Sequence, residues 1–383
     1  MREHATGDPL LTVIVPVRDG AAHLRRSLPA LAASTLPRAQ WELIVVDDGS
    51  RDDGVTVAAQ WADRVIDGDA TVPTGPAAAR NRGAAVARGR WLVFVDADVA
   101  VHRDALVRLA AHAHDDVIDA VFGRYDDAPS APGAVSRARN LAHAIQHERA
   151  AGVATTFWAG LGMVRAAAFE AVGGFDAARF RRPAIEDVEL GYRLARNGHV
   201  IRLDPAIRGT HRKAWRFWHG VRTDLRDRGI PWMHLLLEGA QPAGPARLAV
   251  RQRDRLGVAC AALACSAVAL MPWAPRTGAL VALALLTAMV AIDASLLRAL
   301  AERGGVAVLF AGVAVRAVSH VTNLVSVVAG AVAWLRRGAP RLPRGARDDT
   351  ARDDASREHA IRDHATRARG EARWLATPRH AGG

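Results

Sequence analysis

The fold is decided by residues 75–99, GPAAARNRGAAVARGRWLVFVDADV, in which a helix start, an apolar run and two aspartates follow one another directly. Gly75-Pro76 predicts the start of a helix, because proline at the first helical position has no N–H to leave unpaired. The alanines and Gly83 give this helix a small-residue face that can pack closely on a sheet. Residues 91–95 form an unbroken apolar run, which is typical of a strand buried on both faces of a parallel sheet.

Two acids, Asp96 and Asp98, come directly after that strand. In an open α/β sheet, ligands bind beyond the carboxyl ends of the strands, and acids at a spacing of two tend to point the same way. Paired carboxylates suit a hard divalent cation, and the cation suits a substrate that carries phosphates. Asp-x-Asp also occurs in ordinary caps and turns, so the pattern by itself leaves both interpretations open.

The upstream chain repeats the alternation of apolar strand and helix. Strands are predicted over 10–17, 41–46 and 65–66, with helices over 21–33 and 53–62 between them. Such alternation indicates a doubly wound parallel sheet with right-handed crossovers. No Gly-x-Gly-x-x-Gly follows the first strand, and the sole lysine of the chain, Lys213, lies far downstream. A nucleotide would therefore be held by acids and a cation rather than by a glycine-rich phosphate loop.

The downstream chain is less regular. A helix is predicted over 102–113, a strand over 120–125 and an arginine-rich helix over 133–150. Residues 158–163, WAGLGM, are interpreted as a small-residue turn before a helix. Glu186 and Asp187 open a further amphipathic segment, where acids in the first turn of a helix are also favoured by the helix dipole alone.

Five segments appear in a fixed order: VPVRDG, VVDDGS, AARNRGAAVARGRWLVFVDADV, GGFDAARF and IEDVELGYRLARNGH. Together they resemble the family 2 glycosyltransferases over residues 11–211. The resemblance implies an α/β domain of the GT-A fold, a Rossmann-like and mostly parallel sheet with flanking helices. In this chain the domain is followed by apolar segments that we expect to be C-terminal transmembrane helices.

The resemblance also assigns roles at matching positions. Those implied for binding the nucleotide-sugar are Pro16, Asp48, Arg80 and Asp96. Asp96 and Asp98 match the acids that hold Mg²⁺ or Mn²⁺, and His211 falls where some members place a further ligand. A surface position beside Arg212 is the alternative for that histidine.

Asp187, in the Glu186-Asp187 pair, matches the general base that takes the acceptor's proton. Trp158 and Gly160 fall in the acceptor region. The reaction implied is an inverting transfer of a sugar from a nucleotide-sugar to a lipid-linked or glycan acceptor. Residues 215–232 lack the Gln-x-x-Arg-Trp of processive synthases, which indicates transfer of one or a few sugars. The alternatives are a metal-dependent nucleotidyltransferase and a non-catalytic membrane scaffold with the same fold.

Composition divides the chain into four parts: a catalytic domain over 1–210, an interfacial linker over 211–255, a membrane domain over 256–335 and a basic tail over 336–383. Apolar stretches at 257–274 and 279–297 are long enough to span a bilayer. A third, 306–335, is interrupted by Arg316, His320 and Asn323, so that two and three crossings both stay open.

Arginines flank both ends of the apolar block, which places both flanks in the cytoplasm by the positive-inside rule. We therefore expect a multi-pass protein of the inner cell membrane with a cytoplasmic catalytic domain. The net charge is +12, but its arginines are spread over the whole chain. Without a stripe of aromatic and basic residues, the charge favours anionic lipid over nucleic acid as partner. The tryptophans of the linker fit two interpretations equally well: a membrane surface, or a position in the domain core or in an acceptor groove.

Overall fold

A computed structural model describes residues 7–242 and 252–337, and those up to Arg336 belong to one compact unit. Its strands are β1 (Leu11–Val17), β2 (Trp41–Asp47), β3 (Arg64–Ile66), β4 (Trp91–Val95), β5 (Val99–Val101), β6 (Ala120–Tyr125), β7 (Gly152–Ala154), β8 (Leu161–Arg165) and β9 (Ile201–His211). Its α-helices are α1 (Ala21–Ala32), α2 (Gly54–Ala59), α3 (Pro76–Val86), α4 (Ala105–His112), α5 (Ala134–Arg149), α6 (Ala166–Ala171), α7 (Glu186–Arg196), α8 (Phe217–Thr223), α9 (Ile230–Leu237), α10 (Gln252–Ala269), α11 (Pro275–Ile292), α12 (Ala294–Gly304) and α13 (Val306–Arg337).

The strands form one mixed sheet of nine, in the order β3-β2-β1-β4-β8-β6-β9-β5, with β7 beside β9. The half built from β1 to β4 is parallel, as the alternation of strands and helices predicts. The other half contains antiparallel pairs, because β8 enters beside β4 and β6 from the opposite direction. The fold class is confirmed, and the sheet is more mixed than the resemblance implies.

Each face of the sheet carries its own core. Along β4, Trp91, Val93 and Val95 belong to one buried cluster, whereas Leu92 and Phe94 belong to the other. Successive side chains of a strand point to opposite faces, so a strand covered on both sides must be apolar throughout. This is why the unbroken run of residues 91–95 is a central strand.

Helix α3 packs against β1 through its small residues, as predicted. A Cβ on Gly83 would lie 2.5 Å from the Ile14 side chain, which leaves no space for a larger residue there. The helix begins at Pro76, and Gly75 before it has φ of 90°, a left-handed conformation that favours glycine. The close approach of α3 brings Arg80 beneath the end of β4.

The segment predicted as a turn at 158–163 is half confirmed, because Ala159 and Gly160 form a turn and the next three residues are strand. Leu161 to Arg165 form β8, with Leu161 opposite Val95. Glycines at 160 and 162 suggest a turn in the sequence, but Gly162 lies where a Cβ would meet the Phe157 ring and the Trp158 carbonyl. Close packing, rather than turn geometry, explains that glycine.

Two helices are long and apolar enough to cross a membrane by length and composition, Pro275–Ile292 and residues 306–336. The first ends at Ile292 and Asp293 separates it from α12, so the span expected over 279–297 is divided between α11 and α12. The stretch expected at 257–274 lies mainly in α10, which ends at Ala269. Of the predicted linker and tail, residues 243–251 and those after Arg337 lie outside the described residues.

The linker that is described forms a nearly continuous helix, in which α8 and α9 are joined by a π-helical segment at Asp224–Gly229. Its tryptophans have different surroundings. Trp218 is 75% exposed, whereas Trp232 packs against the second core cluster. The domain-core interpretation therefore applies to Trp232, and a membrane-surface position of Trp218 stays a prediction.

Candidate active site

Arg80 connects three parts of the chain in a buried ion-pair cluster. Its guanidinium donates to Asp96 Oδ1 at 2.7 Å and to Glu186 Oε1 at 2.8 Å. Asp96 follows β4 and Glu186 opens α7, so the arginine of α3 joins two segments that are distant in sequence. Burying this cation is costly unless it is paired, and its pKa is raised because the charges of Asp96 and Glu186 outweigh the effect of burial.

Asp187 lies beside this cluster and is held by backbone donors. The Ala159 N–H donates to Asp187 Oδ2 at 3.2 Å, and the Val188 N–H donates to Oδ1 at 2.8 Å. Burial, and then the neighbouring charge of Glu186, raise the pKa of Asp187 to about 7, although Arg80 acts in the opposite direction. A carboxylate with a pKa near neutrality is suited to accept a proton at physiological pH.

The pKa values of the two aspartates after β4 are shifted in opposite directions. Burial raises the pKa of Asp96, and the nearby charge of Asp98 adds to that effect although Arg80 opposes it. Burial would also raise the pKa of Asp98, but the hydrogen bond and charge of His211 outweigh it and the pKa of Asp98 is lowered. Asp98 therefore stays ionised, while Asp96 is held in the ion-pair cluster.

His211 is buried at the end of β9, which rules out the alternative of a surface position beside Arg212. Its Nδ1 lies 2.6 Å from Asn140 Oδ1, its Nε2 lies 3.5 Å from Asp98 Oδ2, and its ring stacks on Tyr125 at 4.2 Å. Asn140 Oδ1 accepts a hydrogen bond from Nδ1–H, which directs Nε2 towards the carboxylate. The hydrogen bond that lowers the pKa of Asp98 has a proton on Nε2, and a cation in place of that proton would have two acceptors facing each other.

No three His, Cys, Asp or Glu side chains converge into a metal cage within the described part of the chain. Asp98 and His211 would supply two ligands, and Asp96 contacts Arg80 instead. A cation held by so few protein groups would draw its other ligands from water and from substrate phosphates, as Mg²⁺ commonly does.

The acceptor-region residues contact both acids through their backbone. The Asp96 N–H donates to the Gly160 carbonyl at 3.1 Å, and Ala159 contacts Asp187 as described. A Cβ on Gly160 would lie 2.5 Å from the Trp158 indole, so glycine is needed for that ring to pack. The structure therefore brings Trp158 and Gly160 to the same edge of the sheet as the acids.

Asp48 and Pro16 lie at the carboxyl ends of β2 and β1. Asp48 is buried and accepts hydrogen bonds from Thr74 N and Oγ1 and from the Gly75 N–H, which fixes the loop before α3. Pro16 lies beyond Ile14, the last residue of β1 that pairs with β4, so its missing N–H interrupts no bond to that strand. Their contact with a nucleotide stays a prediction.

The polar face of α5 is the part of the site that the sequence interpretation missed. Ser136, Asn140, His143 and His147 are spaced by three or four residues and point inwards: Asn140 contacts His211, and His143 packs on Tyr125 and Trp158. Polar residues at this spacing usually mark a solvent-facing stripe. The available signal was that Ala138, Leu141 and Ile145 are apolar at helical spacing on the opposite face, which the structure buries against α12.

Comparison with known proteins agrees with this geometry. Residues 12–173 match glycosyl transferase family 2. The pre-mycofactocin glycosyltransferase of Mycobacterium tuberculosis is 31% identical over 272 residues, 69% of this chain and 52% of that protein. Glycosyltransferase AglE of Haloferax volcanii is 30% identical over 121 residues, 31% of this chain and 40% of that protein. The chain thus spans about half the length, or less, of these relatives.

A mannosyltransferase from Pyrobaculum calidifontis, solved with GDP-Man and Mn²⁺, superposes with a TM-score of 0.52 at 20% identity, covering 83% of this chain and 88% of that one. This likeness shows the fold. The family match ends before α7, so Asp187 and His211 lie beyond it. Their roles stay predictions that stand on the geometry above.

Proposed function

Since residues 12–173 form a family 2 glycosyl transferase domain and the fold is GT-A, we propose that this chain transfers a sugar from a nucleotide-sugar to an acceptor hydroxyl, with inversion at the anomeric carbon. The observation that carries the proposal is the separation of two acidic centres at one sheet edge. Asp187 is poised to accept a proton, and Asp98, paired with His211, stays ionised.

Asp187 acts as the general base. As the acceptor oxygen bonds to the anomeric carbon, its proton passes to Asp187 and the bond to the diphosphate breaks with its electron pair. Because this exchange is a single displacement, the anomeric configuration inverts. Arg80 and Glu186 hold the start of α7 and so position the base without contacting the reacting atoms.

Asp98 and His211 would hold a Mg²⁺ or Mn²⁺ ion, and Asp96 would lie beside it. The fit is supported by the distance of 3.5 Å between His211 Nε2 and Asp98 Oδ2 and by the burial of His211. When bound, a divalent cation supplies charge stabilisation to a leaving diphosphate. We propose Pro16, Asp48 and Arg80 as the chain's side of the nucleotide pocket, since all three lie at the parallel half of the sheet.

We further propose that the protein works at a membrane surface on a lipid-linked or glycan acceptor. The support is the pair of apolar helices, 275–292 and 306–336. Two crossings would leave both arginine-rich flanks on the cytoplasmic side, the side of the catalytic domain, by the positive-inside rule.

The test is turnover of a panel of UDP-, GDP- and TDP-sugars by detergent-solubilised protein, with Mg²⁺ or Mn²⁺ and with a chelator. We expect cation-dependent release of nucleotide diphosphate from one donor, and loss of that release in Asp187→Asn. Asp116→Asn, at an exposed acid outside the site, is the matched control and should retain full turnover. If no donor is bound under any metal, the catalytic proposal is wrong and a scaffold function replaces it.

A further inference from the structure

Three cations surround one tryptophan next to the acidic edge. Arg139, Lys213 and Arg228 lie 4.6, 4.9 and 5.6 Å from the ring centroid of Trp215. The backbone N–H of Trp215 donates to Ser136 Oγ at 2.5 Å, which holds this part of the chain against α5. We call these three cations and Trp215 the cationic cluster.

The cluster has more positive than negative charge. Its one acid is Asp224, which accepts hydrogen bonds from Arg139 at 2.7 and 2.8 Å and pairs with Arg228 at 3.3 Å. No carboxylate of the described residues lies within ion-pair distance of Lys213, while its charge acts on Asp98. Two positive charges are thus left for a ligand, and anions with several acceptor oxygens suit such a group of donors.

Two features of the backbone, a π-helical segment and a glycine, place the residues of the cationic cluster. Asp224 and Arg228 lie in the π-helical segment, a rare irregularity that is common at functional sites. Gly220 leaves room for Arg139, since a Cβ there would lie 2.9 Å from its guanidinium. A larger residue at position 220 would displace the Arg139 guanidinium from this position.

The cluster lies on the half of the sheet opposite the proposed nucleotide pocket. Its members come from α5, which follows β6, and from the segments after β9, whereas Pro16, Asp48 and Arg80 belong to β1, β2 and α3. Strands β4 and β8 separate these halves in the sheet order. An anion bound here would therefore lie away from Pro16, Asp48 and Arg80, and would be either the diphosphate of the donor at Asp98 and His211 or a phosphate of the acceptor; the apolar surroundings of the cluster favour the acceptor.

An apolar surface begins next to the cluster. Helix α13 packs directly on the π-helical segment and α9: a Cβ on Gly229 would lie 2.1 Å from Ser326, and one on Gly330 would lie 2.7 Å from Met233. The side chains of Val325 and Val328 on α13 are exposed, and so is Trp218 on α8. A ligand with an anionic head and an apolar chain fits the cationic cluster and the apolar surface next to it.

We propose that the cationic cluster binds the phosphate of a lipid-phosphate acceptor, with the lipid chain along α8, α9 and α13. This inference rests on the proposed function for the statement that the ligand is an acceptor. The phosphate would be fixed by Lys213 and Arg228, while the reacting hydroxyl of the acceptor would face Asp187.

The test is calorimetric titration of the full chain in neutral detergent with farnesyl phosphate, farnesol and inorganic phosphate. We expect farnesyl phosphate to bind, farnesol not to bind, and inorganic phosphate to compete only at far higher concentration. Lys213→Met and Arg228→Gln should each weaken farnesyl phosphate by about tenfold or more, as expected for loss of a charge-assisted hydrogen bond. Arg226→Gln removes an exposed charge from the same segment and should change the affinity less than about twofold.

Affinities for UDP and GDP, measured on the same variants, distinguish the two sources of phosphate. If the variants weaken the nucleotide and leave farnesyl phosphate unchanged, the cluster serves the donor and the proposal is overturned. If inorganic phosphate and farnesyl phosphate bind with equal affinity, the lipid chain contributes nothing to binding and the proposal of a lipid ligand is wrong. Farnesyl phosphate has no alcohol hydroxyl to accept a sugar, so its binding tests only the cationic cluster, and failure of the donor panel to be bound or turned over would contradict only the proposed function.

Discussion

Two neighbouring clusters at the same sheet edge differ in how far the protein alone satisfies them. Around Arg80, the cation has Asp96 and Glu186 as direct partners within 3 Å. Around His211, a histidine nitrogen and the Asp98 carboxylate face each other at 3.5 Å, and the cation of Lys213 lies nearby without a carboxylate partner among the described residues. The first cluster is complete without a ligand, and the second is shaped for one. Mutations in the first should therefore affect folding, and mutations in the second should affect binding.

The largest effect is expected from Arg80→Met. It would leave the carboxylates of Asp96 and Glu186 without their cation, which costs about 3–5 kcal/mol of unfolding free energy when a buried pair is broken. The loss should be larger at pH 8 than at pH 5, because protonation of the carboxylates relieves their repulsion. Urea unfolding at both pH values measures it. Arg82→Met, on the same helix but more exposed, is the control, and an equal loss at both pH values would contradict the assignment.

Asp187→Asn should lower turnover by about 10²–10⁴-fold, the usual contribution of a general base. It should also stabilise the protein at pH 8. The pKa of Asp187 is raised to about 7, so its contribution to stability is fully present below about pH 4 and is lost as the pH rises through 7. We expect a gain of about 1 kcal/mol or more at pH 8 that shrinks towards pH 5. Thermal unfolding at the two pH values checks this, and a loss of stability at pH 8 would argue against a raised pKa.

Activity should rise with pH through about 7, since the base must be ionised. Glu186→Gln removes a charge that raises the pKa of Asp187, and it frees Arg80 to lower that pKa further. The acid limb of kcat should therefore move to lower pH by about half a unit to one unit. Glu170→Gln, at an exposed position of α6, should leave the limb in place. A shift of the acid limb to higher pH would show that the charge of Glu186 does not raise the pKa of Asp187.

Asn140→Leu should lower the affinity for Mn²⁺ by about tenfold in the presence of UDP or GDP, because the substitution removes the partner that orients His211. His211→Ala should lower the affinity for Mn²⁺ further, while the thermal stability of the protein should change less than in Arg80→Met. Electron paramagnetic resonance of free Mn²⁺ gives both affinities. His112→Ala, at a histidine paired with Asp204 away from the site, is the control, and unchanged Mn²⁺ affinity in His211→Ala would remove that residue from the ligand set.

The same comparison explains what the sequence could predict. The parallel half of the sheet, the close packing of α3 and the acids after β4 are encoded locally, in apolar runs and in the residues directly after them. The resemblance added the correct fold class and brought Asp187 and His211 to attention. These features depend on short stretches of chain, so a single sequence carries them.

The remaining features depend on contacts between distant segments. The ion pair of Arg80 with Glu186 joins residues that are 106 positions apart, and nothing near either residue specifies the other. The inward polar face of α5 looks like a solvent-facing stripe until α12 is seen to cover the opposite face. The mixed half of the sheet was missed for the same reason. From the local sequence, the glycines beside β8 indicate a turn, whereas in the fold Gly162 is explained by close packing.

The most direct test of the central claim is the affinity of UDP and GDP with and without Mn²⁺ in the wild type, Asp98→Asn and Asp187→Asn, with turnover measured on the same samples. We expect Mn²⁺ to tighten nucleotide binding in the wild type and in Asp187→Asn, and to have no such effect in Asp98→Asn. Turnover should be lost in both variants. If Asp187→Asn loses the Mn²⁺ effect to the same extent as Asp98→Asn, the two acids do not divide binding and proton transfer between them.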